Sequence, residues 1–239
     1  MKKDFKTVIF KEFGKIEEIH INNKFLINRY INIIWITEKS SDKMRNVNKM
    51  KCSIRKKDYL KIYNLTNNAS PLGEFNCGEL CDSICCTIEN KNKEDAYSEM
   101  VLYLLPGEEE MLENESDWFE MFYETTDEIE YPDSWDGEVY YIKCTNPPHC
   151  NRRLRPIQCR SFPLSPHLDK RNNLHLIYDE DDMTYQCPII SDKLELDEDF
   201  LKKTYKMWER LIEDELIFDL VKMDSENRNR NNIDYKIVV

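Results

Sequence analysis

Nine cysteines are present, and eight fall into two groups with short internal spacings. The first is Cys77-x3-Cys81-x3-Cys85-Cys86; the second is Cys144-x5-Cys150-x8-Cys159, with Cys187 following. Thiolates a few residues apart can converge on one metal because a tight turn aims both sulfurs inward, so such spacing marks zinc and iron–sulfur sites. Two adjacent cysteines point in different directions, and Cys85 and Cys86 therefore serve two centres more easily than one. A single cysteine is commonly a buried thiol, and Cys52, which stands apart, is read that way. Random placement rarely yields four cysteines within ten residues followed by three within sixteen, so Cys77, Cys81, Cys85, Cys86, Cys144, Cys150, Cys159 and Cys187 are read as metal ligands.

The neighbourhood of the second group suits that chemistry. Several thiolates on a metal carry net negative charge, which calls for cations or hydrogen-bond donors nearby. Arg152, Arg153, Arg155 and Arg160 all lie within the run from Cys150 to Leu164, and Arg155 and Arg160 are expected to supply the counter-charge. His149 and His167 are lesser candidates as ligands or proton donors. No catalytic acid–base pair stands out, and acidic runs such as Glu108 to Glu110 and Asp179 to Asp182 read as solvated faces.

The succession CGELCDSICC, CTNPPHC, RPIQCRSFPL and the late Cys187-Pro188 resembles the YkgJ-like cysteine-cluster family, described as zinc- or iron-chelating proteins. It resembles flagellin lysine methylases more distantly. The resemblance spans about residues 76 to 190 and is most specific at Arg155 to Leu164; the family's first cysteines are often spaced by two residues where this chain has three. It implies a bound iron–sulfur cluster or zinc. Three roles are compatible with it: a redox or accessory role in protein modification, a structural zinc module for protein interaction, or a methylase-type enzyme.

The bulk properties narrow the partners. The 239 residues carry a formal charge of −12, with 41% hydrophobic and 33% charged residues, enough for a packed core under a strongly solvated surface. Residues 1 to 70 hold 16 Lys and Arg against 7 Asp and Glu, a charge of +9, and residues 71 to 239 hold 18 against 39, a charge of −21. Nucleic acid is an improbable partner for so acidic a molecule; a protein substrate or a redox partner fits better. Only five glycines occur; Gly73 and Gly78 are followed by Glu79-Leu80 where a phosphate-binding loop needs Lys and Ser or Thr, and no G-x-G-x-x-G is present. Charges interrupt every apolar run near the start, and no stretch reaches the roughly 18 to 20 apolar residues of a membrane span. A cytoplasmic location, where thiols stay reduced, is expected.

Positioning these cysteines requires an α+β fold: an irregular, metal-organised domain with short strands and a long C-terminal helix. The expected organisation is a basic extension over 1–56, a cysteine-cluster domain over 57–224 and a flexible tail over 225–239. Within it, the pattern predicts a strand over Phe25 to Thr37 and a helix over Lys57 to Asn64. It predicts strands at Met100 to Leu105, Val139 to Lys143 and Asn173 to Asp179, the middle one leading into Cys144. A helix from about Asp197 to Met223 should pack Phe200, Leu201, Tyr205, Trp208, Leu211, Ile212, Leu216 and Leu220 into the core.

Overall fold

The computed structural model describes residues 6–12, 15–21, 51–87, 101–112, 118–126, 131–146, 148–179 and 185–239. The chain divides into two compact units, Met1–Arg45 and Asn46–Val239. In the first, strands β1 (Lys6–Glu12) and β2 (Lys15–Ile21) form an antiparallel hairpin, paired from Lys6 with Ile21 to Glu12 with Lys15. The strand expected over Phe25 to Thr37 lies outside the described residues. The second unit begins before residue 56 because Cys52 and Ile54 are built into its core.

That second unit is α+β. Helix α1 (Lys56–Thr66) presents Tyr59, Ile62, Tyr63 and Thr66 to the interior, the i, i+3, i+4, i+7 spacing of one helical face. A three-residue strand, β3 (Val101–Tyr103), and β4 (Phe119–Thr125) pair antiparallel on either side of β5 (Glu138–Cys144), giving the order β3-β5-β4. As an edge strand β4 is half solvated: Met121 and Tyr123 are exposed, whereas Phe122 between them stacks on Tyr141 with ring centroids 5.3 Å apart. A second antiparallel pair, β6 (Leu164–Leu168) and β7 (Leu174–Tyr178), packs against the C-terminal helices.

The short helices α2 (Ile84–Thr87), α3 (Ile157–Ser161) and α4 (Pro188–Ser191) all lie in cysteine-bearing segments. The C-terminal helix is two helices, α5 (Glu198–Leu211) and α6 (Glu215–Arg230). Asp197 caps the first, accepting from the Phe200 N–H at 2.9 Å. Asp214 starts the second, accepting from the N–H groups of Leu216 and Ile217 at 3.0 and 3.3 Å, so an N-cap divides what the apolar stripe alone reads as continuous. The stripe is core: Phe200, Trp208, Leu211 and Leu220 are buried, and Leu201, Tyr205, Ile212 and Leu216 pack against them. The segment expected as a flexible tail continues α6 to Arg230, and the Leu176 carbonyl then accepts from the Val238 N–H at 2.8 Å.

Two apolar clusters result. The larger joins α1, α5, α6 and the β6-β7 pair through residues such as Tyr59, Ile62, Leu176, Phe200 and Leu211. The smaller lies under the three-stranded sheet and comprises Leu104, Leu112, Trp118, Phe119 and Ile142. Among the described residues no helix is long and apolar enough to cross a membrane.

The acidic run after Pro106 is not a solvated face. Gly107 adopts a left-handed φ of 86° with the Ile54 carbonyl 3.0 Å from where a Cβ would stand, a turn only glycine makes without strain. It directs Glu108 and Glu109 inward, where they are 1% and 4% exposed.

Asp214 links the ends of this unit, since its Oδ2 accepts from the Ser53 N–H at 2.6 Å and the Ser53 hydroxyl at 2.7 Å. Removing a cap costs about 0.5–2 kcal/mol, and the Ser53 bonds go with it, so Asp214→Ala should destabilise the fold by about 2 kcal/mol in urea denaturation at pH 7. Burial alone would raise this carboxyl, but the bonds from Ser53 and the Ile217 N–H outweigh it and hold the group below its ordinary value. Its contribution is therefore full above about pH 4 and lost as pH falls through the lower folded-state value. The gap between wild type and variant should narrow as pH falls below the ordinary carboxylate range; a gap unchanged there would show that the carboxylate charge is not what matters.

Candidate metal centre

Four stretches of chain deliver the eight thiols. Cys77 opens a 3-10 turn (Cys77–Leu80) that Asn76 caps by accepting from the Gly78 N–H, and Cys81 closes it. The next turn passes through Asp82 and Ser83, both left-handed at φ 50° and 57°, a conformation costing non-glycine residues about 1–2 kcal/mol each. It doubles the chain back on Gly78, where a Cβ would collide with the Ser83 hydroxyl, and delivers Cys85 and Cys86 on α2. Cys144 is the last residue of β5, in register with Phe119. Cys150 precedes the 3-10 turn Arg152–Leu154, Cys159 lies in α3, and Cys187 is the residue before Pro188 that starts α4.

All nine thiols are free; Cys52 and Cys187 are buried and the other seven half-buried. The Cys85 and Cys86 sulfurs are 3.9 Å apart. Among the described residues no three Cys, His, Asp or Glu side chains stand together at the distances of an assembled metal site. The eight are nonetheless neighbours whose charges act on one another. Cys77 feels Cys187 and Cys81; Cys85 feels Cys86, Cys77 and Cys159; Cys144 feels Cys150 and Cys86; Cys159 feels Cys86, Cys144 and Cys150. Cys52 belongs elsewhere: burial, followed by the charge of Asp214, pushes its thiol up to about 12.

Burial opposes the unaided ionisation of Cys77, Cys144, Cys159 and Cys187. Burial, with the charge of Cys150 next, pushes Cys144 up to about 11, and burial is likewise the leading reason that Cys77, Cys159 and Cys187 are raised. Within the adjacent pair, the hydrogen bond raises Cys85 and lowers Cys86, which the charges of Arg155 and Arg152 lower further. A donor set of this kind, soft sulfur largely shielded from water, suits a thiophilic metal whose charge replaces the protons. The residues present therefore fit zinc or an iron–sulfur cluster chemically.

The two arginines singled out by their position divide into different roles. Arg155 reaches the thiols: its Nη2 is 3.8 Å from the Cys150 sulfur. Burial alone would depress its guanidinium, and the charges of Cys150 and Cys159 outweigh it. Arg160 is instead a clamp on the backbone. Its guanidinium donates to the carbonyls of Arg155, Arg152 and Arg153, to the Tyr63 carbonyl and to the Thr66 hydroxyl, the last two at 3.2 Å. Its Cζ lies 4.0 Å from the Tyr63 ring centroid, a cation–π contact strengthened by burial. An arginine whose five N–H groups are spent on the chain orients the thiol-bearing loop through the backbone, while the charge of Cys159 still reaches it.

Glu108 completes this frame. Its Oε1 accepts from the Tyr63 hydroxyl and the Ile157 N–H, both at 2.7 Å, and its Oε2 from the Leu105 N–H at 3.0 Å. Burial raises the carboxyl despite these donors. The Gln158 side chain adds a bond from α3 to the Tyr103 carbonyl at 2.7 Å. Glu108 and Tyr63 were not legible as site residues: one sat in a charge run, the other on an ordinary helix face. The Pro106-Gly107 turn was the available signal that the run folds inward.

Neither histidine joins the thiols. His149 is exposed in its loop, and His167, 1% exposed, packs at 4.2 Å against the Tyr235 ring. His175, opposite His167 in the strand pair, lies 3.5 Å from Asp169.

Arg160→Ala strips donors from several buried acceptors, each worth about 1–3 kcal/mol when left unsatisfied. A loss of about 3 kcal/mol or more is expected in urea denaturation. Arg160→Lys should fail to recover it, since one ammonium cannot replace a planar fork spread over five acceptors. A loss under about 1 kcal/mol would remove Arg160 from the frame. A comparison with known proteins found no matching family model, no matching curated protein and no matching solved structure.

Proposed function

We propose that this is a metal-binding protein in which Cys77, Cys81, Cys85, Cys86, Cys144, Cys150, Cys159 and Cys187 hold an iron–sulfur cluster or zinc. The observation that carries the reading is the grouping of eight free cysteines in short-spaced segments, with the Cys85 and Cys86 sulfurs 3.9 Å apart and the Arg155 guanidinium 3.8 Å from the Cys150 sulfur. Membership of the YkgJ-like family belongs to the same proposal, as does a reducing, cytoplasmic location in which such thiols persist.

Of the two metals, an iron–sulfur cluster with a redox or accessory role in protein modification is the preferred reading. The guanidinium against Cys150 supports it, because donors to cluster sulfurs tune the potential of such centres. A protein substrate or redox partner would complete the system. Structural zinc is the second reading, favoured by the packing of Cys77 and Cys187 against the large apolar cluster, where an ion would help fix the core. No phosphate-binding glycine motif is present to suggest a nucleotide-type cofactor site for a methylase.

Elemental analysis and an absorption spectrum of protein purified without oxygen test the reading. Iron with acid-labile sulfide and visible absorption that bleaches on reduction is expected. Zinc alone would select the structural module, and a metal-free protein with its eight thiols paired as disulfides would reject both. Thiolate sites contribute on the order of 10 kcal/mol to folding, comparable to the whole stability of a domain. Chelation should therefore lower the Tm sharply, by more than any single surface substitution. Arg155→Ala should weaken metal retention about 10-fold or more, the usual cost of removing a supporting group, as read by competition with a chromophoric chelator; unchanged retention would leave Arg155 without a role at the centre.

A further inference from the structure

The three-stranded sheet is bordered on one side by β3 and on the other by β4, which among the described residues pairs with β5 alone. The phase of the β4-β5 ladder fixes which backbone groups that outer edge presents. The Thr145 N–H donates to the Trp118 carbonyl at 3.0 Å and the Thr126 N–H to the Gly137 carbonyl at 3.1 Å. In an antiparallel ladder alternate residues face the neighbour, so the even-numbered residues of β4 bond inward to β5 and the odd-numbered ones turn their N–H and C=O away. The far side of β5 keeps the same phase: Tyr140, opposite Tyr123, accepts from the Leu104 N–H at 2.7 Å. Met121 and Tyr123 therefore hold their main-chain donors and acceptors outward, beside side chains that are 37% and 55% exposed.

Edge strands are ordinarily blunted by proline, lysine, a bulge or brevity. Strand β4 reads Phe-Glu-Met-Phe-Tyr-Glu-Thr, seven residues paired without a break, and carries none of these devices. Its two charges, Glu120 and Glu124, are acidic and share one face with Phe122 between them. Phe122 is fixed by its stack on Tyr141, and the Glu120 side chain stays 68% exposed although it stands 3.9 Å from Lys143.

We propose that the outer edge of β4 docks an extended basic segment of a partner protein, which joins the sheet as a fourth, antiparallel strand. The main-chain groups of Met121 and Tyr123 supply the bonds, and alternate side chains supply the selectivity. Two basic residues four positions apart stand beside Glu120 and Glu124, and the apolar residues between them lie along Met121 and Tyr123. A second copy of this chain fits the edge badly. Antiparallel self-pairing in the full-overlap register sets Met121 against Tyr123 of the other copy and Glu120 against its Glu124, like charges directly opposite, between molecules each carrying −12. No thiol takes part in these contacts, so the site stands whether or not the chain binds metal.

The probe is the blocked peptide acetyl-Ser-Lys-Val-Thr-Val-Lys-Ser-amide, titrated calorimetrically into the full chain at about 50 mM salt. Saturable one-to-one binding is expected, weakened about 5-fold or more in Glu120→Gln/Glu124→Gln, and to a similar degree in the wild type at about 500 mM salt. Tyr123→Pro should weaken binding at least about 10-fold with the circular dichroism unchanged, since proline there removes an N–H that bonds nothing within the sheet. Should that variant misfold, the wild type titrated with the peptide N-methylated at both valines, whose N–H groups face β4, must show the same loss. Absence of binding at about 1 mM peptide, undiminished binding of the methylated peptide, or equal binding of a peptide with glutamates in place of its lysines would overturn the proposal. A wild-type dimer in sedimentation that Tyr123→Pro converts to monomer would also overturn it, by assigning the edge to a second copy.

Discussion

Glu108 and Arg160 are buried charges that meet on the two sides of Tyr63: the carboxylate accepts the Tyr63 hydroxyl while the guanidinium lies over the ring. Between them they satisfy an N–H at Leu105, an N–H at Ile157 and carbonyls from Tyr63 to Arg155. Burying either charge costs several kcal/mol unless its hydrogen-bonding capacity is filled, and filling it demands that α1, the turn at Pro106-Gly107 and the arginine-rich loop occupy one arrangement. Everything that positions Cys150 and Cys159 depends on that arrangement. An apolar core of the same size would bring the segments together without dictating their register, because hydrophobic contact is non-directional.

The same economy explains why the thiol segments can be irregular. Cys77 to Cys86 run through a 3-10 turn, two left-handed residues and a single helical turn, a stretch that buries little and carries backbone strain. Strain of this kind persists where other forces over-determine the geometry. Those forces include packing against the large apolar cluster through Cys77 and Cys187; a bound ion would supply the rest.

Charge asymmetry acts at another scale. The sequence from residue 71 onward carries −21, and a centre of ligated thiolates, as proposed, would add to it. Arg155 on the thiols and Arg160 on the carbonyls keep positive charge inside an otherwise acidic unit, where low dielectric makes each worth more than at the surface. Such a unit would meet a basic partner readily and repel an acidic one, with a strong dependence on ionic strength.

From the sequence alone came the element types, since apolar period distinguishes helix from strand locally: α1, β3, β5, β7 and the C-terminal helical stripe all follow from it. The grouping of eight cysteines apart from Cys52 was equally legible, because spacing is a property of the chain. The α5-α6 break was not, as Asp214 looks like any acidic residue until its cap geometry and its bonds to Ser53 are seen. Strands β4 and β6 were missed for want of a clean alternation. The fates of Arg155 and Arg160 differ by five positions in the chain, and only the tertiary structure could assign one to sulfur and the other to backbone carbonyls. That assignment depends on Tyr63 and Glu108, which reach α3 across more than 45 residues of intervening chain. Local pattern carries no information about which distant acceptors will surround a buried cation, and it is those acceptors that decide its role.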